Sequence, residues 1–185
     1  MPPRFRRPVV ILAGGADGED AASNAAASRL FVAGFSGFSG TVISGGTTSG
    51  IAGIAGDLAA GCPDVMAVGY LPRKLSSNAK RDHRYTRFRT TETENFSAAE
   101  CLAYWGDLLA DGVQPADVKL LGWGGGRIAA AEYRIAIALG AAVGLIAGTG
   151  RSADAIASDP LWAKFPNLSL LPRTASAVRG FLAAG

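Results

Sequence analysis

Two stretches of this chain share one design, in which a short apolar run is followed by a glycine turn and a helix of small residues. The first covers residues 41–61, TVISGGTTSGIAGIAGDLAAG, and the second covers residues 118–139, VKLLGWGGGRIAAAEYRIAIAL. A strand that turns through glycines into a helix leaves backbone N–H groups without partners, and the positive end of the helix dipole points at the same place. An anion suits that position. The two turns together therefore predict a single site for the phosphate groups of a nucleotide.

The other apolar runs predict the fold that carries these turns. The run at 8–13 is unbroken and rich in valine and isoleucine, which is typical of strands buried on both faces of a parallel sheet. Further strands are predicted at 41–44, 65–70, about 84–90, 118–122, 142–147 and 168–171, and helices at about 19–34, 49–60, 98–110, 128–139, 152–158 and 175–184. This alternation indicates a three-layer, Rossmann-like α/β fold with a mostly parallel sheet of about seven strands. Residues 1–185 are expected to form a single domain.

Glycine turns directly follow three of the predicted strands, at Gly14-Gly15, at Gly45-Gly46 and at 124–126. One such turn is most simply a tight connection between two elements. In a parallel sheet, however, the carboxyl ends of strands meet at one edge, and ligands bind beyond that edge. Three glycine turns at the same edge therefore indicate a binding site.

Basic residues are clustered, although the net charge is only +3. Seven of the 18 lysines and arginines lie in the segment 73–89, and three more precede the first apolar run. This segment contains no recognisable nucleic-acid-binding motif. Nucleic acid is therefore not the expected partner, and the role of the basic segment stays open.

The cysteines and the single histidine give little material for a metal or redox site. Cys62 and Cys101 lack metal-ligand spacing and a CxxC arrangement, so two reduced thiols in a cytoplasmic protein are expected. His83 lies in the basic segment and is expected to be solvated. No apolar stretch approaches the roughly 20 residues of a membrane span. We expect no metal, no cofactor and no membrane partner.

The first glycine turn matches neither of the common nucleotide-binding loops. GGTTSG is not followed by GK[ST] and does not read GxGxxG, which argues against ATP hydrolysis and against a dinucleotide cofactor. The hydroxyl groups of Thr47, Thr48 and Ser49 can still add hydrogen bonds to a phosphate held by backbone N–H groups.

Glu132 is the strongest single candidate for a functional residue. It is predicted to lie in line with an apolar stripe on the helix 128–139, formed by Ile128, Ile135 and Leu139. A carboxylate there is costly unless it is paired or bound to a ligand. It could accept hydrogen bonds from ribose hydroxyls or act in acid–base chemistry. The alternative is an internal salt bridge with Arg127, Arg73 or Arg89.

Arg127 is predicted to stand at the start of the same helix, where its guanidinium could meet a phosphate. The cations of the segment 73–89 are expected to close over the ligand. The complete set of predicted ligand-binding residues is Gly14, Gly15, Ala16, Ser44, Gly45, Gly46, Thr47, Thr48, Ser49, Gly50, Arg73, Gly122, Trp123, Gly124, Gly125, Gly126, Arg127 and Glu132.

Four stretches of the chain resemble the SLOG superfamily, which is named for the Smf/DprA and LOG proteins. They are VVILAGGA at 9–16, VISGGTTSGI at 42–51, FSAAECL at 96–102 and VKLLGWGGGRIAAAEYRIAIALGAAVGLI at 118–146. The subgroup that they resemble most is the prokaryotic relative of the N-terminal domain of melastatin-type TRP channels. That resemblance implies a domain that senses nucleotide-derived signals such as ADP-ribose and its cyclic forms.

LOG phosphoribohydrolases carry GGGxxGxMG and, later, PGGxGTxxE. Residues 44–53 are similar to the first motif, and Gly125, Gly126, Arg127 and Glu132 match the second. The proline, third glycine and threonine of the second motif are replaced by Gly124, Ile128 and Ala129. The departure falls on the catalytic motif, so the resemblance implies a retained pocket without the cleavage reaction.

The leading hypothesis is a non-catalytic sensor of an ADP-ribose-like or cyclic ADP-ribose-like nucleotide. The resemblance further implies a regulatory module of a bacterial anti-phage signalling system, with a fused or associated effector and a homodimer or higher homo-oligomer. The alternative is a LOG-like enzyme that hydrolyses the N-glycosidic bond of nucleoside 5′-monophosphates with Arg127 and Glu132.

Overall fold

Seven parallel strands form the central sheet of the protein. The computed structural model describes residues 5–15 and 20–184. The strands are β1 (Val9–Gly14), β2 (Gly40–Ser44), β3 (Val65–Leu71), β4 (Arg87–Thr90), β5 (Val118–Trp123), β6 (Ala142–Ile146) and β7 (Leu168–Leu171). All strand pairs in the sheet are parallel. The Rossmann-like α/β fold predicted from the sequence is thereby confirmed.

In the described part of the chain, six α-helices cover the two faces of the sheet. They are α1 (Ala21–Gly34), α2 (Gly50–Gly61), α3 (Ala98–Ala110), α4 (Arg127–Leu139), α5 (Arg151–Ser158) and α6 (Ala175–Ala183). One 3-10 turn, Pro115–Asp117, leads into β5. Helices α1, α2 and α6 lie on one face, and α3, α4 and α5 lie on the other.

The alternation of side chains along β1 explains why each face has its own core. Val9 and Ile11 point into the cluster formed with α3, α4 and α5, whereas Val10 and Leu12 point into the cluster formed with α1, α2 and α6. All four side chains are at most 1% exposed. A strand buried on both faces requires the unbroken apolar run seen in the sequence.

The order of the strands in the sheet is β4-β3-β2-β1-β5-β6-β7. Strands β1 to β4 therefore follow one another to one edge of the sheet. The chain then returns to the other side of β1, and β5 to β7 follow one another to the opposite edge. In sheets of this kind the connections after the two central strands leave in opposite directions, which opens a crevice at their carboxyl ends. Here that crevice lies between β1 and β5.

The predicted elements agree with the observed ones to within a few residues. The helix predicted at 98–110 has the predicted bounds, and its capping box is formed by Ser97 and Glu100. The predicted strand at 84–90 is shorter at its start. Thr86 still donates its N–H to the Ala67 carbonyl of β3 at 2.9 Å, but the side chains of Arg84 and Tyr85 donate to carbonyls of α2. The predicted start of the first helix at 19 lies outside the described residues, and Asp20 caps the helix that follows.

Candidate functional site

An open cavity of about 750 Å³ lies at the carboxyl ends of β1, β2 and β5. Its position is the crevice at which the strand order reverses. The size is within the range of about 300–1,000 Å³ that is usual for small-molecule pockets. Residues from the three glycine turns, from the first turns of α2, α3 and α4, and from the start of α5 line it.

The end of β1 contributes Gly14 and Gly15 to the cavity wall. A Cβ atom on Gly14 would lie 2.3 Å from the carbonyl oxygen of Trp123 and 2.6 Å from the Ile51 side chain. Glycine is therefore required where β1, β5 and α2 converge. The backbone N–H of Ile51 donates to the Gly15 carbonyl at 3.1 Å, which ties the start of α2 to this turn. Ala16, which was also predicted to bind ligand, lies outside the described residues.

Some residues of the turn after β2 line the cavity, and the others contact neighbouring parts of the protein. Ser44, Gly45 and Thr47 line the cavity. Gly46 has a φ of +76° and packs on β3, where an added Cβ would lie 3.1 Å from the Gly69 Cα. The N–H of Thr48 donates to the Lys80 carbonyl at 3.0 Å, so it is already satisfied within the protein. Thr48, Ser49, Gly46 and Gly50 therefore shape the turn without lining the cavity.

The turn after β5 is held from behind by the start of α5. Backbone N–H groups of Ser152 and Ala153 donate to the carbonyls of Gly125 and Gly124, at 3.1 and 3.0 Å. The Thr149 hydroxyl accepts from the N–H of Gly124 at 3.0 Å. Gly124 and Gly125 have φ values of +54° and +92°, a region that favours glycine. The turn is thus fixed, and its last residue, Gly126, reaches the cavity.

Two residues of β5 that were predicted to bind ligand have supporting positions instead. Gly122 lies beneath Tyr133, whose ring would be 2.7 Å from an added Cβ. The Trp123 ring packs on the opposite face of the sheet against Phe31, with 6.1 Å between ring centroids. The Arg173 guanidinium lies 4.9 Å from the Trp123 centroid on that same side. Neither Gly122 nor Trp123 lines the cavity.

Two arginines line the cavity beside the second glycine turn. Arg127 begins α4, is exposed, and forms no salt bridge within the described part of the chain. Arg151 begins α5, and its guanidinium lies 3.4 Å from where a Cβ on Gly126 would stand. The helices α2 and α4 both start at the cavity, and neither N-cap residue makes a side-chain cap hydrogen bond. This side of the cavity is therefore suited to an anion.

The opposite wall carries acidic and phenolic groups from α3 and α4. Glu132 lines the cavity, and its Oε1 accepts a hydrogen bond from the Tyr104 hydroxyl at 3.3 Å. Burial raises the pKa of the Glu132 carboxyl to about 7, the Tyr104 hydrogen bond opposes this, and the charge of Glu100 adds to it. Burial, with the Glu132 charge, also raises the pKa of the neighbouring Cys101 thiol to about 12. Near neutral pH the Cys101 thiol is therefore protonated, and the Glu132 carboxyl is protonated in a substantial fraction of the molecules.

Glu100 is a second carboxylate in this wall, and it is 6% exposed. It accepts hydrogen bonds from the hydroxyls of Thr91, at 2.5 Å, and Thr93, and from the Ser97 N–H at 2.7 Å. Burial alone would raise the pKa of Glu100, but these hydrogen bonds hold it below its usual value. Glu100 is therefore the ionised carboxylate of the pair.

The position of Glu132 was anticipated, but the apolar stripe assigned to its helix was wrong. The buried face of α4 consists of Ala129, Ala130, Tyr133, Ala136 and Ile137. Ile128 and Leu139 are 40% and 42% exposed. Glu132 stands at the border of the buried face and reaches the cavity instead of the core. The salt bridge considered as an alternative is not formed with any arginine in the described residues.

The basic segment 73–89 does not close over the cavity. No cation from it is among the lining residues of the described chain. Arg73 pairs with Glu92, Lys74 with Glu94 at 2.8 Å, and Arg89 with Asp107 at 3.0 Å. The placement of Arg73 at the ligand, predicted from the sequence, therefore finds no support in the geometry.

The middle of this segment braces the first glycine turn from outside. Asp82 is 2% exposed, and its backbone N–H donates to the Gly46 carbonyl at 3.0 Å. Arg84 binds Asp82 at 2.6 Å, pairs with Asp57 on α2, and donates to the Gly53 carbonyl at 3.2 Å. Burial tends to raise the pKa of Asp82, but the hydrogen bonds from Arg84 hold it below its usual value. The segment thus stabilises the turn.

Fifteen lining residues were not among the predicted ligand-binding residues, and six of them carry aromatic, ionisable or thiol side chains. These six are Tyr70, Phe96, Glu100, Cys101, Tyr104 and Arg151. The stretch FSAAECL at 96–102, which contains Phe96, Glu100 and Cys101, was noted only as part of the family resemblance. Tyr70 and Tyr104 look like ordinary core aromatics in the sequence. Only the fold brings them to the cavity.

The described residues contain neither a cluster of metal ligands nor a membrane-spanning helix. No group of three or more His, Cys, Asp or Glu side chains is placed to hold a metal ion there. No described helix has the length and apolar character needed to cross a bilayer. Cys62 and Cys101 are free cysteines.

Comparison with known proteins adds solved structures of the same fold. No family model and no curated protein sequence matches the chain. A crystal structure of the protein TM1055 is similar with a TM-score of 0.66 and 18% identity, covering 94% of this chain and 97% of that one. The molybdenum cofactor carrier protein of Chlamydomonas reinhardtii has a TM-score of 0.66 and 19% identity, covering 97% and 100%.

The molybdenum cofactor binding protein of the phototrophic bacterium Rippkaea orientalis is similar as well. It has a TM-score of 0.65 and 16% identity, and the match covers 96% of each chain. At such identities the likeness shows a shared fold. The chain therefore shares a Rossmann-like α/β fold with these proteins, two of which are a carrier and a binding protein of the molybdenum cofactor.

Proposed function

We propose that this protein is a non-catalytic binding domain for a nucleotide-derived ligand of the ADP-ribose or cyclic ADP-ribose type. The observation that carries the proposal is the two-sided cavity at the β1–β5 crevice. Glycine turns and two arginines form one side, and Glu132, Tyr104 and Glu100 form the other. A ligand with a phosphate at one end and hydroxyl groups at the other is complementary to such a cavity.

The phosphate end of the ligand is assigned to the glycine side. The start of α4 offers backbone N–H groups, and α2 and α4 both place the positive ends of their dipoles at the cavity, although the Ile51 N–H of α2 is bonded to the Gly15 carbonyl. Arg127 adds a guanidinium that the described protein does not pair, and Arg151 lies next to it at Gly126. Arginine binds phosphate oxygens through two parallel hydrogen bonds, which fixes orientation as well as charge.

The sugar is assigned to the acidic side. Carboxylates accept hydrogen bonds from ribose hydroxyls, and a tyrosine hydroxyl can donate or accept. Glu132 and Tyr104 are already joined by a hydrogen bond of 3.3 Å, so their side chains are oriented before the ligand arrives. Preorganisation of this kind reduces the entropic cost of binding.

The alternative function is a LOG-like hydrolase that cleaves nucleoside 5′-monophosphates. One observation favours it, namely that the pKa of Glu132 is raised to about 7 by burial, which suits a general acid or base near neutral pH. Against it stand Gly124, Ile128 and Ala129, which replace three residues of the catalytic motif that the resemblance identifies. Binding without cleavage is therefore the preferred function.

We extend the proposal to a regulatory role in anti-phage signalling and to homo-oligomer formation, both of which rest on the SLOG resemblance. Exposed apolar side chains support a contact surface. Leu102 and Leu109 on α3 are 59% and 49% exposed, and Ile128 and Leu139 on the adjacent α4 are 40% and 42% exposed. A second copy of the chain could cover these side chains, of which Ile128 also lines the cavity.

A ligand screen by thermal unfolding tests the proposed function. The screen contains ADP-ribose, cyclic ADP-ribose, AMP and, because two solved structures of this fold are of molybdenum cofactor proteins, that cofactor as a competitor. A ligand at 100 times its dissociation constant adds about 2.7 kcal/mol of stability, which is easily detected. A shift with the molybdenum cofactor alone would replace the nucleotide proposal with a carrier function.

Incubation with AMP distinguishes binding from catalysis. We expect no free adenine by chromatography. Release of adenine that disappears in Glu132→Gln would establish the hydrolase instead.

A further inference from the structure

One aromatic side chain in the cavity has no role in the fold's hydrophobic cores. The chain contains eight phenylalanines, all within the described residues, and Phe96 alone belongs to neither core cluster. It also has no aromatic or cationic partner in that part of the chain. Instead it is partly buried and lines the cavity. A large apolar ring left at a cavity wall is a place where a ligand can remove further apolar surface from water.

Phe96 lies close to the proposed phosphate side of the cavity. A Cβ atom on Gly45 would lie 3.9 Å from the Phe96 Cε1. The ring therefore lies beside the first glycine turn. The same Cβ would lie 3.6 Å from the Ala52 Cβ, so this part of the cavity wall is apolar.

We propose that Phe96 is the stacking platform for a planar heterocycle of the ligand. The inference rests on the proposed function and deepens it, because it requires the ligand to carry a base beside its sugar phosphate. Every nucleobase offers a flat π-face, and stacking on an aromatic side chain tolerates different bases. Phe96 thus selects ligands with a planar ring system, while Glu132 binds the sugar and the two arginines bind the phosphate.

A purely local role for Phe96 is the competing explanation. Phe96 stands just before the N-cap residue Ser97 of α3, and Cys101 occupies the fourth position after the N-cap along the helix. An apolar pair at these two positions often fixes the direction of the chain at a helix start. Leucine serves that role as well as phenylalanine, whereas it provides no π-face. This difference separates the two explanations.

The experiment compares Phe96→Leu, Phe96→Ala and Phe96→Trp with the unchanged protein by calorimetry. The probes are AMP and ADP-ribose, which carry a base, and ribose 5-phosphate, which does not. Thermal unfolding without ligand is recorded for each variant, and Phe96→Leu is the decisive one if Phe96→Ala is poorly folded.

We expect Phe96→Leu to weaken AMP and ADP-ribose binding by about fivefold to 100-fold, from the stacking contribution usual for a base on an aromatic ring. Ribose 5-phosphate binding is expected to change by less than about twofold, and Phe96→Trp is expected to bind AMP at least as well as the unchanged protein. Unchanged AMP and ADP-ribose affinity in Phe96→Leu, or an equal loss for all three probes, would overturn the inference and leave the proposed function intact. If the unchanged protein binds none of the three probes, the proposed function fails and the inference with it.

Discussion

The hydroxyl of Tyr104 on α3 donates to Oε1 of Glu132 on α4, at 3.3 Å, and so joins the two helices at the cavity wall. Tyr104 is 3% exposed, and burial together with the charge of Glu132 raises its pKa well above the usual value. The hydroxyl therefore stays protonated and remains a donor. The proton that does change near neutral pH is that of the Glu132 carboxyl, whose pKa is raised to about 7.

Folding stability should therefore decrease as the pH rises from about 5 to about 8. The pKa of Glu132 is higher in the folded protein, about 7, than its ordinary value of 4.5. The folded state thus holds the Glu132 proton more tightly than the unfolded state does. The contribution of this proton to the free energy of unfolding is complete below about pH 4.5 and is lost as the pH rises through about 7. A shift of this size corresponds to at most about 3 kcal/mol. Urea unfolding at several pH values measures it.

Glu132→Gln should remove this pH dependence, because the amide does not titrate. The matched control is Glu94→Gln, which changes a carboxylate in an exposed pair with Lys74 and should keep the slope. A wild-type slope that persists in Glu132→Gln would show that another group titrates in this range.

Two helix glycines should respond oppositely to alanine. A Cβ on Gly53 of α2 would lie 2.4 Å from the Thr48 carbonyl oxygen, so Gly53→Ala forces the helix away from the first glycine turn. We expect a loss of about 1–3 kcal/mol in the free energy of unfolding. Gly106 of α3 has nothing within 4 Å of an added Cβ, and Gly106→Ala should gain about 0.5–1 kcal/mol. Chemical denaturation of both variants checks the prediction, and destabilisation of the same size in both would refute it.

Loss of the buried Asp82 carboxylate should lower the free energy of unfolding more than loss of the exposed Lys74–Glu94 ion pair. Asp82→Ala removes the partner of Arg84 and a carboxylate that also accepts from the Arg84 N–H at 3.0 Å. We expect a cost of about 1–3 kcal/mol, since the hydrogen bonds of a buried carboxylate are lost, although the Arg84 side chain is itself 38% exposed and keeps Asp57 as a partner. Lys74→Ala breaks an exposed pair with Glu94 and should cost no more than about 0.5 kcal/mol. Equal midpoints of denaturation for the two variants would contradict the structural role of the segment.

The strands, the helices and the glycine turns could be predicted because each has a local cause in the sequence. The apolar run of β1 and the capping box of Ser97 and Glu100 are examples. The glycines inside α2 have no such local cause, since Gly53 makes room for Thr48 and Gly56 makes room for Asp82.

The acidic wall of the cavity could not be predicted, because it depends on contacts between distant parts of the chain. Tyr104 and Glu132 are 28 positions apart, and their contact exists only because α3 packs on α4. Likewise, the acids that neutralise Arg73, Arg84 and Arg89 are distributed over the chain, and a count of charges in the segment could not identify the pairs.

A test of the proposed phosphate site needs substitutions that change the charge of the cavity without destabilising the fold. Gly46 is a poor choice because its φ of +76° and its packing on Gly69 make any side chain disruptive. Gly45 lines the cavity, and the nearest atoms to an added Cβ are 3.6 and 3.9 Å away. Gly45→Asp therefore places a negative charge in the cavity with little strain. Arg127→Glu reverses a lining charge, and Arg73→Glu is the matched reversal outside the cavity.

The most direct measurement is calorimetry of ADP-ribose binding to the unchanged protein and to these three variants. We predict that Gly45→Asp and Arg127→Glu each weaken binding by at least about tenfold, or about 1.4 kcal/mol, while Arg73→Glu binds as the unchanged protein does. Equal affinity in all four proteins, with folding intact, would contradict a phosphate site at the β1–β5 crevice.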